Sequence, residues 1–496
     1  MAWTIVAAGL IVVALFGLWR DRIDVTAEAM TIEGTPATVF RGTRAPAPVV
    51  LIAHGFAGSQ QLMQAFALNA ARSGMIAVTF DFLGHGQNPA PLGGSVTEIG
   101  GATRSLVMQT ARMVTFARGL GDGRVALLGH SMASDIIIRV AQAEPDIAAT
   151  VTISAFSQAV TAQSPRNLLL IAGEWESYLG TEALKLVSQI AGPAPQAGMT
   201  YGNMAQGSAR RLVIAPHVEH IGVLYSATSL SEAQVWLSQV FGMAASAPPV
   251  RSGLWIALLL AGLIVAVRPL ARLLPVVSTP LIGGGVPWRQ FWLVAFGPAL
   301  ATPLILRFVP TRFLPILVAD YLAVHFTLYG VLTFTILKFT GSSLPRLSEF
   351  ANSRVLLAAM AALAITFGGL FLAIDTFVTA IAPISARLIL ILALLAGTMS
   401  YFLATEWVMR GPQAARGAAI AVPLAFLISL ALAVALDLKR LFFLAIIVPV
   451  IVPFLLVFGL FGHWIHARTG HPAVAAAAQA IAFALAIGAT FPMLTG

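Results

Sequence analysis

The chain has 496 residues, 58% of them apolar and 10% charged, with a mean hydropathy of +0.87. Soluble domains carry roughly 25% charged residues, so this composition excludes a wholly soluble protein, and the length asks for at least two domains. The absence of cysteine excludes disulfides, thiol catalysis and cysteine-ligated zinc.

The net charge of +9 is unevenly spread: residues 1–250 hold 14 basic and 15 acidic side chains, residues 251–496 hold 15 and 5. A basic surplus in short loops between apolar segments fits anionic lipid head groups, not nucleic acid.

In chain order, Trp3 to Trp19 is an apolar run of bilayer-spanning length. It lacks a basic leader and an evident small-residue cleavage site, so residues 1–22 read as an uncleaved anchor, with a signal peptide as the alternative. Residues 23–245 alternate strand-like and helical patterns. Strands are expected at Ala37–Arg41, Val49–His54, Ile76–Asp81, Val125–Gly129, Ala149–Ser154, Leu168–Gly173 and Leu212–Pro216. Helices are expected near Gln61–Ser73, Val96–Leu120, Ser131–Ala143, Ser177–Ile190 and Ser229–Phe241. Such alternation predicts a mostly parallel sheet covered by helices on both faces, an α/β class. A Pro-rich linker at 246–252 follows. From 253 to 496 come about eight apolar segments, near 253–267, 290–306, 313–337, 355–374, 386–409, 417–436, 441–462 and 472–495, which predict an all-α polytopic transmembrane domain.

Four motifs in 23–245 fit one chemistry. Gly129-His130-Ser131-Met132-Ala133 lies between a buried strand and a helix. A serine at such a turn stands clear of the sheet, and the N–H after it faces the same space. Ala53-His54-Gly55-Phe56-Ala57-Gly58 follows another buried strand, so the N–H groups of Phe56 and Met132 are candidates for an oxyanion hole. Leu168–Gly173 ends in two carboxylates, Glu174 and Glu176, and Leu212–Pro216 is followed by two histidines, His217 and His220. An ordinary N-cap would explain Ser131 alone, but not its three companions. His54 and His85 read as structural, and Asp135 and Glu144 as helix-surface charges.

The chain order Ser, acid, His and these contexts resemble the α/β-hydrolase fold, in particular its small esterase and serine aminopeptidase-like branch. The likeness rests on His54-Gly55-Phe56, Phe80-Asp81-Phe82-Leu83-Gly84-His85-Gly86, Gly129 to Ala133, Gly173-Glu174-Trp175-Glu176 and Glu219-His220-Ile221, and covers about residues 23–242. It implies Ser131 as nucleophile, His220 as base and Glu176 as the acid that orients it, with Phe56 and Met132 as oxyanion donors. Glu174 and His217 are the alternates. No cofactor or metal is called for. Two residues depart from the family pattern. Ala133 stands where the elbow usually has Gly, and its methyl predicts some local opening. Glu replaces the usual Asp.

The mechanism implied is attack of the Ser131 hydroxyl on an acyl carbon, then hydrolysis of the acyl-enzyme. An alcohol or amine in place of water would make an acyltransferase. A third reading is a transporter or sensor whose hydrolase-like domain only binds. Ala155–Asn167 is too short for a helical cap, so the site is expected to be open or roofed by the membrane domain. An amphipathic, lipid-like ester is the expected substrate, with membrane lipid as the expected partner.

Within the spans, Asp320, Tyr321 and His325 form a polar stripe, extended by Tyr329, that would line a cavity or make a helix–helix contact. Asp375 lies inside a span or at its end. Glu406 and Arg410, four apart, predict an interfacial ion pair. His463, His466 and His471 read as solvated interfacial histidines, and Trp288, Trp292, Trp407 and Trp464 as belt residues. Loops on one face hold nine basic residues. The other face holds six, or eight with Arg20 and Arg22. The expectation is a bacterial inner membrane with the hydrolase domain extracytoplasmic.

Overall fold

A computed structural model of the chain describes residues 1–44, 46–95, 98–244, 248–346, 348 and 352–495. Residues 246–247 of the predicted linker and 96–97 of a predicted helix lie outside them.

The first half is built on a nine-stranded sheet. Its strands are β1 (Thr26–Ile32), β2 (Thr35–Arg41), β3 (Val49–Ala53), β4 (Ile76–Phe80), β5 (Val125–His130), β6 (Thr150–Ile153), β7 (Leu168–Gly173), β8 (Thr200–Tyr201) and β9 (Arg210–Ala215). They run in the order β1-β2-β4-β3-β5-β6-β7-β9-β8. From β4 to β9 the pairing is parallel, and β1, β2 and β8 pair antiparallel at the edges. Every residue of β3, β4, β5, β6 and β7 is buried, as strands covered on both faces require.

Two strands were not foreseen. β1 is mostly exposed, and its sequence Thr-Ala-Glu-Ala-Met-Thr-Ile carries no apolar face to betray it. β8 has only two residues. The helix predicted from Val96 becomes regular only at Arg104. Gly101 before it is non-helical, which fits the freedom of a Gly-Gly pair.

After the sheet come the apolar helices. Among the described residues nine helices, the N-terminal one included, are long and apolar enough to cross a membrane. Helix α1 (Ala2–Asp21) precedes the sheet half; the helices of the sheet half are α2 (Gln64–Arg72), α3 (Arg104–Leu120), α4 (Met132–Ala143), α5 (Ser177–Ala191) and α6 (Ala227–Phe241). Then follow α7 (Ser252–Leu270), α8 (Trp288–Leu306), α9 (Ala319–Phe339), α10 (Ser353–Phe377), α11 (Leu388–Met409), α12 (Ala418–Leu436), α13 (Leu438–Thr469) and α14 (Pro472–Thr490). The last segment was expected to stay helical to 495. It stops at Thr490 because Pro492 disfavours helix in the residue before it. Met493 and Leu494 instead bridge to Ile316 and Leu92.

The halves meet at loops beyond the carboxyl ends of β3 and β4. Ser59 Oγ accepts the Ala380 N–H at 2.9 Å, and Gln87 Nε2 donates to the Ala382 carbonyl at 2.7 Å. The buried Arg387 guanidinium donates to the carbonyls of Gly84, Gly488 and Phe491 at 2.7–2.9 Å. Met493 N–H donates to Gly84 O, and Leu92 N–H to Met493 O.

Candidate active site

Ser131 sits between β5 and α4 with φ +54° and ψ −117°, a conformation that L-residues adopt only under constraint. The constraint comes from both sides. The Ser131 N–H donates to Ile153 O of β6 at 2.8 Å, and α4 buries Ala133, Ile136, Ile137, Val140 and Ala141, one face at helical spacing. The opening expected from Ala133 does not occur. Ala133 is fully buried, and a Cβ on Gly129 would lie 3.0 Å from the Ala133 carbonyl, so helix and strand already touch. Ser134 points elsewhere, donating to Gly129 O at 3.1 Å.

His220 Nε2 lies 2.9 Å from Ser131 Oγ, and His220 Nδ1 lies 2.5 Å from Glu176 Oε1. An ionised carboxylate only accepts, so Nδ1 carries the proton and Nε2 presents its lone pair to the serine hydroxyl. The other carboxylate oxygen of Glu176 accepts from Ser154 Oγ at 2.7 Å and from the Gly173 N–H at 2.8 Å. Burial opposes ionisation of Glu176. The hydrogen bonds from His220, Ser154 and Gly173 outweigh it and hold the carboxyl below its ordinary value. Gly173 is needed for a second reason: a Cβ there would lie 2.5 Å from Val218 O, in the loop that carries His220.

The alternates lie apart. Glu174 Oε2 accepts from the His217 N–H at 2.7 Å and lies 3.1 Å from His217 Nδ1, with the His217 side chain 84% exposed. They pair with each other at the surface, not with Ser131.

Phe56 and Met132 are on the two loops that flank Ser131. A Cβ on Gly55 would come 3.2 Å from Ser131 Cβ, so only glycine lets the Phe56 loop approach this closely. Met132 opens α4, and its N–H has no intrahelical acceptor. Neither N–H donates to an acceptor among the described residues.

Behind the site are three buried imidazoles. His130 Nε2 donates to His220 O at 2.9 Å, with the two rings 4.8 Å apart. His54 bonds Gly55 O and receives the Phe82 N–H; His85 bonds Leu83 O. Burial pushes His54 and His130 down to about 3 and His85 down to about 4, so all three are neutral. Burial likewise raises Asp81 to about 6, against hydrogen bonds from Gln60 and Gln87. Asp135 pairs with Arg139, and Glu144 with Arg118, on helix surfaces.

Three contributors had no signal in the pattern. Ser154 and His130 are ordinary strand-end residues until the sheet closes. Phe443, from the other half, packs tilted against the Phe56 ring with centroids 4.4 Å apart.

In the helical half the polar stripe closes on itself. His325 lies 3.3 Å from the Tyr321 hydroxyl and 3.1 Å from Ser429 Oγ, while Asp320 accepts the N–H groups of Tyr321 and Phe313. Asp375 sits near the end of its span and accepts the N–H groups of Ile381 and Ala382. Three expectations need correction. Glu406 and Arg410 pair at 2.8 Å but are buried, with Gln479 joining at 3.1 Å, because neighbouring helices cover them. His466 and His471 are buried too and bond backbone, at Ile282 O and the Ala473 N–H. Trp407 is buried, its Nε1–H donating to Ser343 O, so it is no belt residue.

Residues 44–188 match the model of the family described as serine aminopeptidase, S33. No curated protein matches the chain. Solved structures that resemble it include TT1662 from Thermus thermophilus, at 15% identity over 44% of this chain and 99% of that one, TM-score 0.33. A dienelactone hydrolase from Anabaena variabilis is 17% identical over 44% and 98%, TM-score 0.32. A membrane phospholipase A described as a bacterial virulence factor is 13% identical over 48% and 92%, TM-score 0.32. The sheet and the family match agree: the first half of this chain has the α/β-hydrolase fold, its residues 44–188 match the serine aminopeptidase model, and an all-helical region follows it.

Proposed function

We propose that this protein is a membrane-embedded serine hydrolase that cleaves carboxylic esters of amphipathic, lipid-like substrates. Ser131 is the nucleophile, His220 the general base and Glu176 its orienting acid. The observation that carries this reading is the unbroken line from Ser131 Oγ through His220 to Glu176, at 2.9 and 2.5 Å. His220 takes the hydroxyl proton as Ser131 attacks the acyl carbon. The N–H groups of Phe56 and Met132 hold the oxyanion, and the alcohol leaves with the proton. Water then repeats the sequence on the acyl-enzyme.

Two features support a lipid-like substrate. Phe156, Trp175, Tyr178 and Ile221, beside the triad in sequence or in ring contact, are large, apolar and at least 40% exposed. A membrane helix reaches the Phe56 loop through Phe443. That contact also favours a second reading, an acyltransferase whose acceptor arrives through the helical half. The proposed setting is a bacterial inner membrane with the hydrolase extracytoplasmic, supported by the basic residues on the opposite loops.

A fluorophosphonate probe tests the reading. Wild type should label, Ser131→Ala should not, and Ser134→Ala should. A wild-type protein that stays unlabelled beside a reactive control hydrolase overturns it. Free acid formed without acceptor marks a hydrolase; acyl product only with acceptor marks a transferase.

A further inference from the structure

On the hydrolase side of the helical half, the turn after α8 and the α12–α13 junction enclose an open cleft of about 530 Å³. Its lining is Pro310, Thr311, Arg312, Asp437, Lys439 and Arg440, three cations against one carboxylate. Asp437 is already engaged, 3.1 Å from Arg440 Nε and accepting the Arg440 N–H. The Arg440 guanidinium also lies 5.6 Å over the Tyr321 ring, which holds it at the cleft wall. Arg312 and Lys439 are exposed and make no ion pair among the described residues. Phe313, Leu438 and Phe442, within two residues of these cations in the chain, are each more than half exposed. Cations bordered by exposed apolar groups at span ends suit a phosphate with acyl chains attached.

The cleft is tied to the nucleophile. Phe443 follows Arg440 by three residues, across a kink at Leu441, and its ring packs tilted against Phe56 with centroids 4.4 Å apart. Phe56 is adjacent to Gly55, which abuts Ser131. A kinked helix start and one loop thus connect the cations to Ser131.

We propose that this cleft binds the phosphate of an anionic glycerophospholipid whose acyl ester reaches Ser131, and so sets the substrate class. The inference rests on Ser131 being the nucleophile. Ser131 Oγ bonds to the acyl carbon and the ester bond to the glycerol oxygen breaks. The serine proton passes through His220 to that oxygen, and the lysophospholipid leaves with its phosphate in the cleft. Water then cleaves the acyl-serine, regenerating the hydroxyl and releasing the fatty acid.

The test uses the full chain in detergent and an ether-linked phosphatidylglycerol, which has no ester to cleave. Added during fluorophosphonate labelling, this lipid should slow labelling of Ser131 at least about 10-fold in wild type, and less than about 2-fold in Arg312→Gln/Lys439→Gln. Labelling without lipid should be equal in the two proteins. Should the double variant fail to label at all, Lys439→Gln alone and a salt titration of wild type read the same contact, since salt should weaken the protection. Undiminished protection in the variants, or in high salt, overturns the proposal. Equal protection by a dialkylglycerol shows that chains alone are recognised; equal protection by ether phosphatidylcholine removes the anionic selectivity; equal protection by inorganic phosphate makes this a free-phosphate site. Each overturns it. Labelling with no lipid protection ends this inference alone, whereas no labelling of wild type ends the nucleophile reading and this one with it.

Discussion

The two halves of this protein bury polar groups to opposite ends. In the hydrolase half they converge on one hydroxyl: Gly173 N–H and Ser154 hold Glu176, Glu176 holds His220, and His220 faces Ser131. Ser131 itself is only partly buried and strained. In the helical half the polar groups close among themselves, as in Glu406–Arg410–Gln479 and Tyr321–His325–Ser429. In the proposed mechanism the open chain ends in the reacting hydroxyl; a closed one only holds helices together. Ionisable side chains in a span therefore need not mark a path. In these two clusters the carboxylate, guanidinium and imidazole bond one another or a neighbouring side chain.

That contrast can be broken most sharply at its open end. Ser131→Ala should lower ester hydrolysis at least about 10³-fold, and Glu176→Gln about 10²–10⁴-fold, by leaving His220 without its orienting carboxylate. Both are read as kcat/KM on a soluble nitrophenyl ester. Glu176→Gln activity near wild type would mean that the line of hydrogen bonds is not the catalytic one.

The closed end should respond in stability instead. Arg410→Met leaves Glu406 buried without its partner, and breaking such a pair costs about 3–5 kcal/mol. The midpoint of thermal unfolding in detergent should fall while kcat of the remaining folded enzyme holds. A change in kcat alone would show that the network reaches the active site.

Acid should act on the hydrolase half. His54, His85 and His130 stay neutral when folded but take protons near 6.5 when unfolded. The unfolded state binds more protons below that value, so their contribution is complete above pH 6.5 and is lost as pH falls, about 1.4 kcal/mol per pH unit for each. Asp81 opposes them. Its folded value near 6 lies above the ordinary 3.8, so it favours the fold as pH falls through that window. Three imidazoles against one carboxyl leave a net loss, measurable as a falling unfolding midpoint from pH 6.5 to 4. A flat profile would mean that these rings protonate in place.

The smallest effect is expected at the surface pair. Glu174→Gln and His217→Ala should change kcat/KM less than about 2-fold, since their partners are each other. Sidedness is a separate check. The chain has no cysteine, so Lys185→Cys, on an exposed helix of the hydrolase half, should react with an impermeant maleimide in intact cells if that half is extracytoplasmic.

Much of the fold was legible because burial leaves its mark on composition. Val49–Ala53 and Leu168–Gly173 are apolar throughout, and both are central strands. β1 was not legible, because an exposed edge strand does not need apolar side chains. Gly-Gly at 100–101 hid the late start of α3. At the site, Ser131, Glu176 and His220 were nameable from their loops. Ser154 and His130 were not, since β6 and β5 bring them there only by pairing.

The sequence by itself determined the classes of element, the spans and the loops that carry the proposed triad, because periodicity and turn residues are local properties. Tertiary structure alone decided which carboxylate and which histidine meet the serine, and that a membrane helix leans on the Phe56 loop. Those outcomes depend on strand order and on the packing of segments hundreds of residues apart, which local pattern does not encode.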